Sequence, residues 1–246
     1  MDAYFDADGY ERIYSDDHVT NGLPAATPWD IGGPQPVVQQ LVATGAVSGE
    51  VLDPGTGPGY HAIYYASQGY AATGIDRSPS AIERARRNAQ TARVSVNFEV
   101  ADVTTLDGFD NRFNTVVDSA FYHSLGADLE RQLTYLRALH RATRPEARLF
   151  MFEFGEHNVN GLSWPRAIPA QHFREVLPVC GWTMTYLGPS TYRANINLDT
   201  FGKITVQEDD SPVAPRSLIE QLSAIEPLLT DGQVHIPVSE VHATRR

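Results

Sequence analysis

The chain has 246 residues and a mass of 27.1 kDa, enough to bury a full core, and an α/β domain of this size is commonly single. Its 30 acidic against 19 basic side chains leave a net charge of −11, which repels phosphate backbones and anionic lipid, so no nucleic-acid or membrane partner is expected. Cys180 is the one cysteine and forms no internal disulfide, no apolar run is long enough to span a bilayer, and the acidic start MDAYFDADGYERIYSDD is unlike a secretion signal, so a cytoplasmic location is expected.

Residues 3–16 mix Tyr4, Phe5, Tyr10, Ile13 and Tyr14 with acids, as an amphipathic helix would. From Asn21 to Pro36, four prolines and three glycines forbid regular structure around Trp29. Val37, Val38, Leu41 and Val42 then predict a helix over 35–44, stopped by Gly45. Next comes Val51-Leu-Asp-Pro-Gly-Thr-Gly-Pro-Gly59: a strand, an acid, and three alternating glycines in front of a helix over 60–68. It lacks the Gly-Lys-Ser/Thr of a phosphate loop, and Tyr60 stands where a dinucleotide fingerprint needs Gly or Ala.

Strands follow at 70–75, closed by Asp76, at 94–100 before Asp102, at 113–118 ending on Asp118, and at 148–154. Ser78 and Pro79 open one intervening helix, and Leu129, Leu133, Leu136 and Leu139 mark another that runs to Pro145. A helix with Phe173, Val176 and Leu177 and a sixth strand over 182–187 come next, then strands at 192–198 and 203–206, a helix at 217–229 and a last strand at 234–241. Glu208-Asp-Asp-Ser-Pro212 reads as a solvated turn. The chain is expected to form a single domain over 1–246, with 1–34 as an N-terminal lid segment and 199–232 as an inserted flap.

Alternating strands and helices imply a doubly wound parallel sheet whose ligand sits beyond the carboxyl ends of the strands. Asp53, Asp76, Asp102 and Asp118 all fall at such ends. A lone aspartate is usually a turn or cap acid, but four at successive ends point to one crevice.

VLDPGTGPGYH, GIDRSPSAIERAR, EVADV and FNTVVDSAFYHSL resemble the class I S-adenosylmethionine-dependent methyltransferases. PWDIGGPQP and WPRAIPAQHFREVLPVCGW look most like the bacterial small-molecule enzymes of thiopurine and heterocyclic-toxin type. The resemblance implies a Rossmann-like, mostly parallel seven-stranded sheet with an antiparallel edge strand. It departs from the family at Pro54 and Pro58, which each remove a backbone donor from the glycine loop, and at Pro145-Glu-Ala147. It also implies that Gly55 and Gly57 approach the methionine part of the cofactor, that Asp76 binds the ribose hydroxyls, and that Asp102 with Val103 holds the adenine. An ionised carboxylate accepts both hydroxyl donors of a ribose, and Asp76 lies 17 residues past Gly59, near the interval of the related dinucleotide fold. Asp53, Thr56, Gly59 and Asp118 join that cofactor-binding set. Arg77 either covers the adenine or is a solvated helix-start arginine. His61 opens the helix facing the cofactor carboxylate, or is an ordinary first-turn histidine.

The methyl group of such a cofactor is already activated, so the protein chiefly aligns an acceptor and excludes water. His123, just past the fourth strand, is the candidate general base; otherwise it bonds its own loop. Trp29 is either a lid over the sulfonium and a flat acceptor or an anchor of its loop, and Phe121 and Tyr122 either stack on the acceptor or pad the core. Trp164 and Arg166 border the expected acceptor pocket. Glu153, Glu156 and His157 follow the fifth strand without enough further carboxylates for a metal, so none is expected. The expected function is methyl transfer to an oxygen, nitrogen or sulfur of a small aromatic or heterocyclic molecule, by a monomer or homodimer. A non-catalytic sensor or partner subunit that binds the same cofactor is the alternative, and the glycine pattern disfavours a nicotinamide enzyme.

Overall fold

A computed structural model describes residues 11, 14–15, 19–20, 23–24, 29–164, 167–195, 216–229 and 232–246. A short antiparallel pair, β1 (Val19–Thr20) and β2 (Leu23–Pro24), precedes α1 (Pro36–Ala43), where Pro36 supplies the first-turn proline. Then follow β3 (Val51–Pro54), α2 (Tyr60–Ser67), β4 (Ala72–Asp76), α3 (Pro79–Ala92), β5 (Asn97–Val100), β6 (Phe113–Ser119), α4 (Leu129–Ala142) and β7 (Thr143–Phe154). The chain continues through α5 (Ala170–Val179), β8 (Trp182–Ala194), α6 (Arg216–Ile225) and β9 (Val234–Arg245).

One seven-stranded sheet runs β5-β4-β3-β6-β7-β9-β8. The strands β3 to β7 pair in parallel, and β9 is antiparallel to both neighbours. From β3 the chain winds outward to β5, then crosses back to place β6 on the other side of β3. That reversal opens a crevice at the carboxyl ends of β3 and β6. Alternation along the buried strands feeds two cores. Val51, Val117 and Phe152 point to one with Ile63, Ile82 and Phe98, while Leu52, Val116 and Met151 point to the other with Leu136, Phe173 and Trp182.

Strands β7, β8 and β9 depart most from the sequence expectation. Strand β7 begins at Thr143, because pairing with β6 jumps from Thr143 to Arg148 and the skipped stretch takes up Pro145 and the left-handed Glu146 (φ 64). Strand β8 runs through Gly188 and Pro189 to Ala194; an edge strand tolerates a proline because its second side needs no donor. The antiparallel strand β9 lies one place in from the edge, with β8 outside it. The strand expected at 203–206 and the acidic turn at 208–212 lie outside the described residues, as does most of the flap over 199–232.

Trp182 starts β8 fully buried and donates its indole N–H to the Leu136 carbonyl at 3.1 Å. Trp182→Ala is expected to cost roughly 3–5 kcal/mol in urea unfolding. A loss below about 1 kcal/mol would contradict the packing described.

Candidate functional site

The glycine loop is left-handed at each glycine, with φ 67, 52 and 82 at Gly55, Gly57 and Gly59. A Cβ on Gly55 would lie 2.2 Å from the Phe121 ring, and one on Gly57 would lie 2.7 Å from the Tyr14 hydroxyl. At Gly59 it would meet Ala85 and Phe98, each at 2.8 Å, so this third glycine serves helix packing. Trp29 donates to that Tyr14 hydroxyl at 3.0 Å, which brings its indole near Gly57.

Beneath the loop, Asp53 is buried and accepts from the Thr56 hydroxyl at 2.6 Å and from the Ala62 amide. It therefore ties the end of β3 to the first turn of α2. Burial pushes its carboxyl up to about 7, against the pull of those two donors. Asp76 accepts from Gly57 N at 3.0 Å on one oxygen and from Ser78 N at 2.9 Å on the other, and burial raises its carboxyl above the ordinary value. The Arg77 amide also donates, and since a carboxylate has about four acceptor sites, capacity for a further donor remains. Glu11 reaches Ser78 and Ser80 at 2.5 Å each, at the start of α3.

Asp102 is exposed and accepts from the Thr104 amide and hydroxyl at 2.8 and 2.7 Å. Burial works to raise its carboxyl, but the Thr104 donors and the charges of Arg77 and Arg131 outweigh it and hold the group low. Arg77 thus faces Asp102, and Val103 is buried behind it. His61 accepts from the Gln35 amide at 3.2 Å through Nε2, and burial pushes its imidazole down to about 4, so it is a neutral tether. The Gln35 side chain in turn exchanges two hydrogen bonds with the Arg193 backbone of β8, at 2.8 and 3.0 Å.

At the end of β6 the sequence expectation needs two corrections. Asp118 is fully buried beneath the crevice, accepting from Phe121 N at 2.9 Å, Tyr122 N at 3.3 Å and the Tyr135 hydroxyl at 2.8 Å, so its oxygens are spent on the interior and not on a cofactor. Tyr122 is fully buried as well, bonded to His172 at 2.8 Å and packed among Tyr135, His172 and Phe173, which excludes stacking on an acceptor. Phe121 is half-buried above Gly55.

His123 does stand at the crevice, with its ring 24% exposed. Its Nδ1 lies 3.0 Å from Glu153 Oε2, and its ring packs on Phe154 at 4.4 Å, which stacks on Trp164 at 4.8 Å. Sequence reasoning missed this use of Glu153; the signal was an acid inside the apolar run Leu149-Phe-Met-Phe-Glu-Phe154. Glu156 is exposed and His157 bonds the Ser190 carbonyl at 3.0 Å, so the three do not converge. Among the described residues no cluster of three or more acid, histidine or cysteine side chains is arranged to hold a metal, and no helix is long and apolar enough to cross a membrane. Arg166 lies outside the described residues.

The family description "Methyltransferase domain" matches residues 51–146. A 2-heptyl-1-hydroxyquinolin-4(1H)-one methyltransferase of Mycobacteroides abscessus is 34% identical over 178 residues, covering 70% of this chain and 76% of that protein. Thiocyanate methyltransferase 1 of Brassica oleracea is 24% identical, covering 75% and 77%. A solved structure from work on conversion of a disulfide bond into a thioacetal group during echinomycin biosynthesis superposes with a TM-score of 0.69 at 29% identity, covering 89% and 85%.

The buried acids make stability pH-dependent. Folded Asp53 keeps its proton to about 7, whereas the unfolded chain releases it near 3.8, and burial likewise makes the coupled Asp118–Glu153 pair hold a proton that the unfolded chain releases, so both contributions fall as pH rises. His61 acts oppositely, its contribution growing from about 4 to 6.5. Calorimetric melting points are therefore expected to fall from about pH 6.5 to about pH 8. In Asp53→Asn the fall below about pH 7 is expected to become shallower, leaving the share of the Asp118–Glu153 pair. A wild-type profile that rises across this window would contradict the assignment.

Proposed function

We infer an acceptor class from a settled premise: the chain belongs to the S-adenosylmethionine-dependent methyltransferases and transfers a methyl group from that cofactor to a small molecule. The acceptor we propose is a flat heteroaromatic molecule, of the heterocyclic-toxin kind, that carries an ionisable hydroxyl or N–H. The ring ladder His123–Phe154–Trp164 carries this reading, because it sets an apolar aromatic wall directly beside a candidate base. The Mycobacteroides relative agrees in kind, since its name gives a quinolone ring with a hydroxyl.

The residues present fit the cofactor. The loop from Asp53 to Gly59 forms a cradle that side chains would fill, and α2 turns its N-terminal amides toward the same place, suited to the methionine carboxylate. Asp76 is assigned to the ribose hydroxyls with its remaining acceptor capacity, while Arg77, Asp102 and Val103 border the adenine. Phe121 and the Trp29–Tyr14 pair close the cradle, placing aromatic faces near the sulfonium. When bound, S-adenosylmethionine supplies an electrophilic methyl whose carbon–sulfur bond breaks with its electron pair left on sulfur as the acceptor's lone pair bonds to carbon. His123 takes the acceptor's proton. Helix α6 extends the wall: Leu222 is buried in the apolar cluster that includes Trp164, and Gln221 accepts from Ser163 N at 3.4 Å. Helix α6 is therefore proposed to border the acceptor.

Turnover of 1-hydroxyquinolin-4(1H)-ones and other flat hydroxylated heteroaromatics, compared with thiocyanate and simple thiols, tests the acceptor class. Activity confined to the latter would overturn it. Asp76→Ala is expected to weaken cofactor binding in calorimetry by about 10- to 100-fold, the worth of charge-assisted hydrogen bonds. Trp164→Ala is expected to raise the acceptor KM while leaving cofactor affinity unchanged.

A further inference from the structure

Glu153 has no solvent exposure, and a carboxylate in an interior is costly unless every oxygen is used. Its amide and imidazole partners come from a single turn. Tyr122 N donates to Oε1 at 2.8 Å, while His123 N and Nδ1 meet Oε2 at 3.2 and 3.0 Å, so the backbone and the ring of one residue are locked onto one oxygen. That turn depends on Ala120, whose left-handed backbone (φ 60) reverses the chain after β6 and aims the amides of residues 121–123 inward. The second carboxyl, Asp118, bonds to Glu153 and anchors the same turn through Phe121 N and the Tyr135 hydroxyl.

We propose that Glu153 is the positioning residue of the methyl transfer: it fixes His123 with the proton on Nδ1, so that Nε2 carries the lone pair toward the acceptor, and Asp118 holds Glu153 in place through a proton shared between the two carboxyls. This rests on the reading of His123 as the general base. An imidazole nitrogen that donates to a carboxylate leaves the other nitrogen as the acceptor, on the far side of the ring. Phe154 packs on the ring face and limits rotation. The proton account closes: the acceptor's proton moves to Nε2, Nδ1 keeps its own, and none moves onto Glu153. The resulting imidazolium then faces one negative charge.

The surroundings favour a single shared proton. Glu153 faces Asp118 on β6, Tyr122 before α4, Tyr135 on α4 and Tyr192 on β8, with Asp53 of β3 beyond Asp118. Burial pushes Glu153 up to about 8 and Asp118 well above the ordinary range, as for two carboxyls that cannot both ionise side by side. The tyrosines are raised and stay neutral.

The test compares wild type, Glu153→Gln and His123→Ala by acceptor turnover, the pH profile of kcat/KM, cofactor calorimetry and the ¹⁵N shifts of His123 in histidine-labelled protein. The expected pattern has four parts. Wild-type His123 is the Nδ1–H tautomer. Glu153→Gln binds the cofactor as before and loses about 100-fold in kcat, the lower range of a general base's contribution. Its acid limb moves to lower pH, because removing an anion lowers the imidazole pKa. Its tautomer signal also changes. An unchanged acid limb and tautomer in Glu153→Gln, with turnover lost in His123→Ala, overturns the positioning role and leaves the base standing. Unchanged turnover in His123→Ala overturns both. If Glu153→Gln does not fold, the wild-type tautomer decides: Nε2–H in the free protein overturns the proposal.

Discussion

A buried carboxylate has to be satisfied from within, and this protein places three of them, Asp53, Asp118 and Glu153, under the carboxyl ends of neighbouring strands. Each recruits the loop above it. Asp53 draws in Thr56 and the first turn of α2, which sets the glycine cradle. Asp118 and Glu153 draw in the amides of residues 121–123, which sets His123 and lays Phe121 over Gly55. The energetic cost of burying acids thus becomes the precision of two loops on opposite sides of one crevice.

The cradle and the acceptor side differ in construction. On the cofactor side the determinants are local to β3, β4 and their following turns, within the region matched by the family description. The proposed acceptor side draws on β7, Trp164 and α6, mostly outside that region. The proposed acceptor wall and the loop that Asp53 holds thus lie on separate parts of the chain.

Much of this was legible in the sequence because it rests on short-range signals. Alternating apolar strands, Ser78 with Pro79, and the glycines before Tyr60 each fix local structure, and their order fixed the parallel part of the sheet. The four aspartates were correctly found at strand ends, but their depth was not, since exposure depends on what packs above. Asp118 and Tyr122 therefore lie inward, while Asp102 lies outside. Glu153 escaped because its partner is 30 residues away in sequence and the pairing exists only once β6 and β7 are side by side. The reach of β8 and the place of β9 also depend on long-range pairing that local propensity does not encode.

A crystal structure with S-adenosylhomocysteine and a flat hydroxylated heteroaromatic bound together tests the account most directly. It is expected to place the acceptor ring on the Phe154–Trp164 stack, with its hydroxyl between the cofactor sulfur and His123 Nε2 and with Glu153 still on Nδ1. An acceptor hydroxyl served by another side chain, or His123 turned away from Glu153 in that complex, would contradict it.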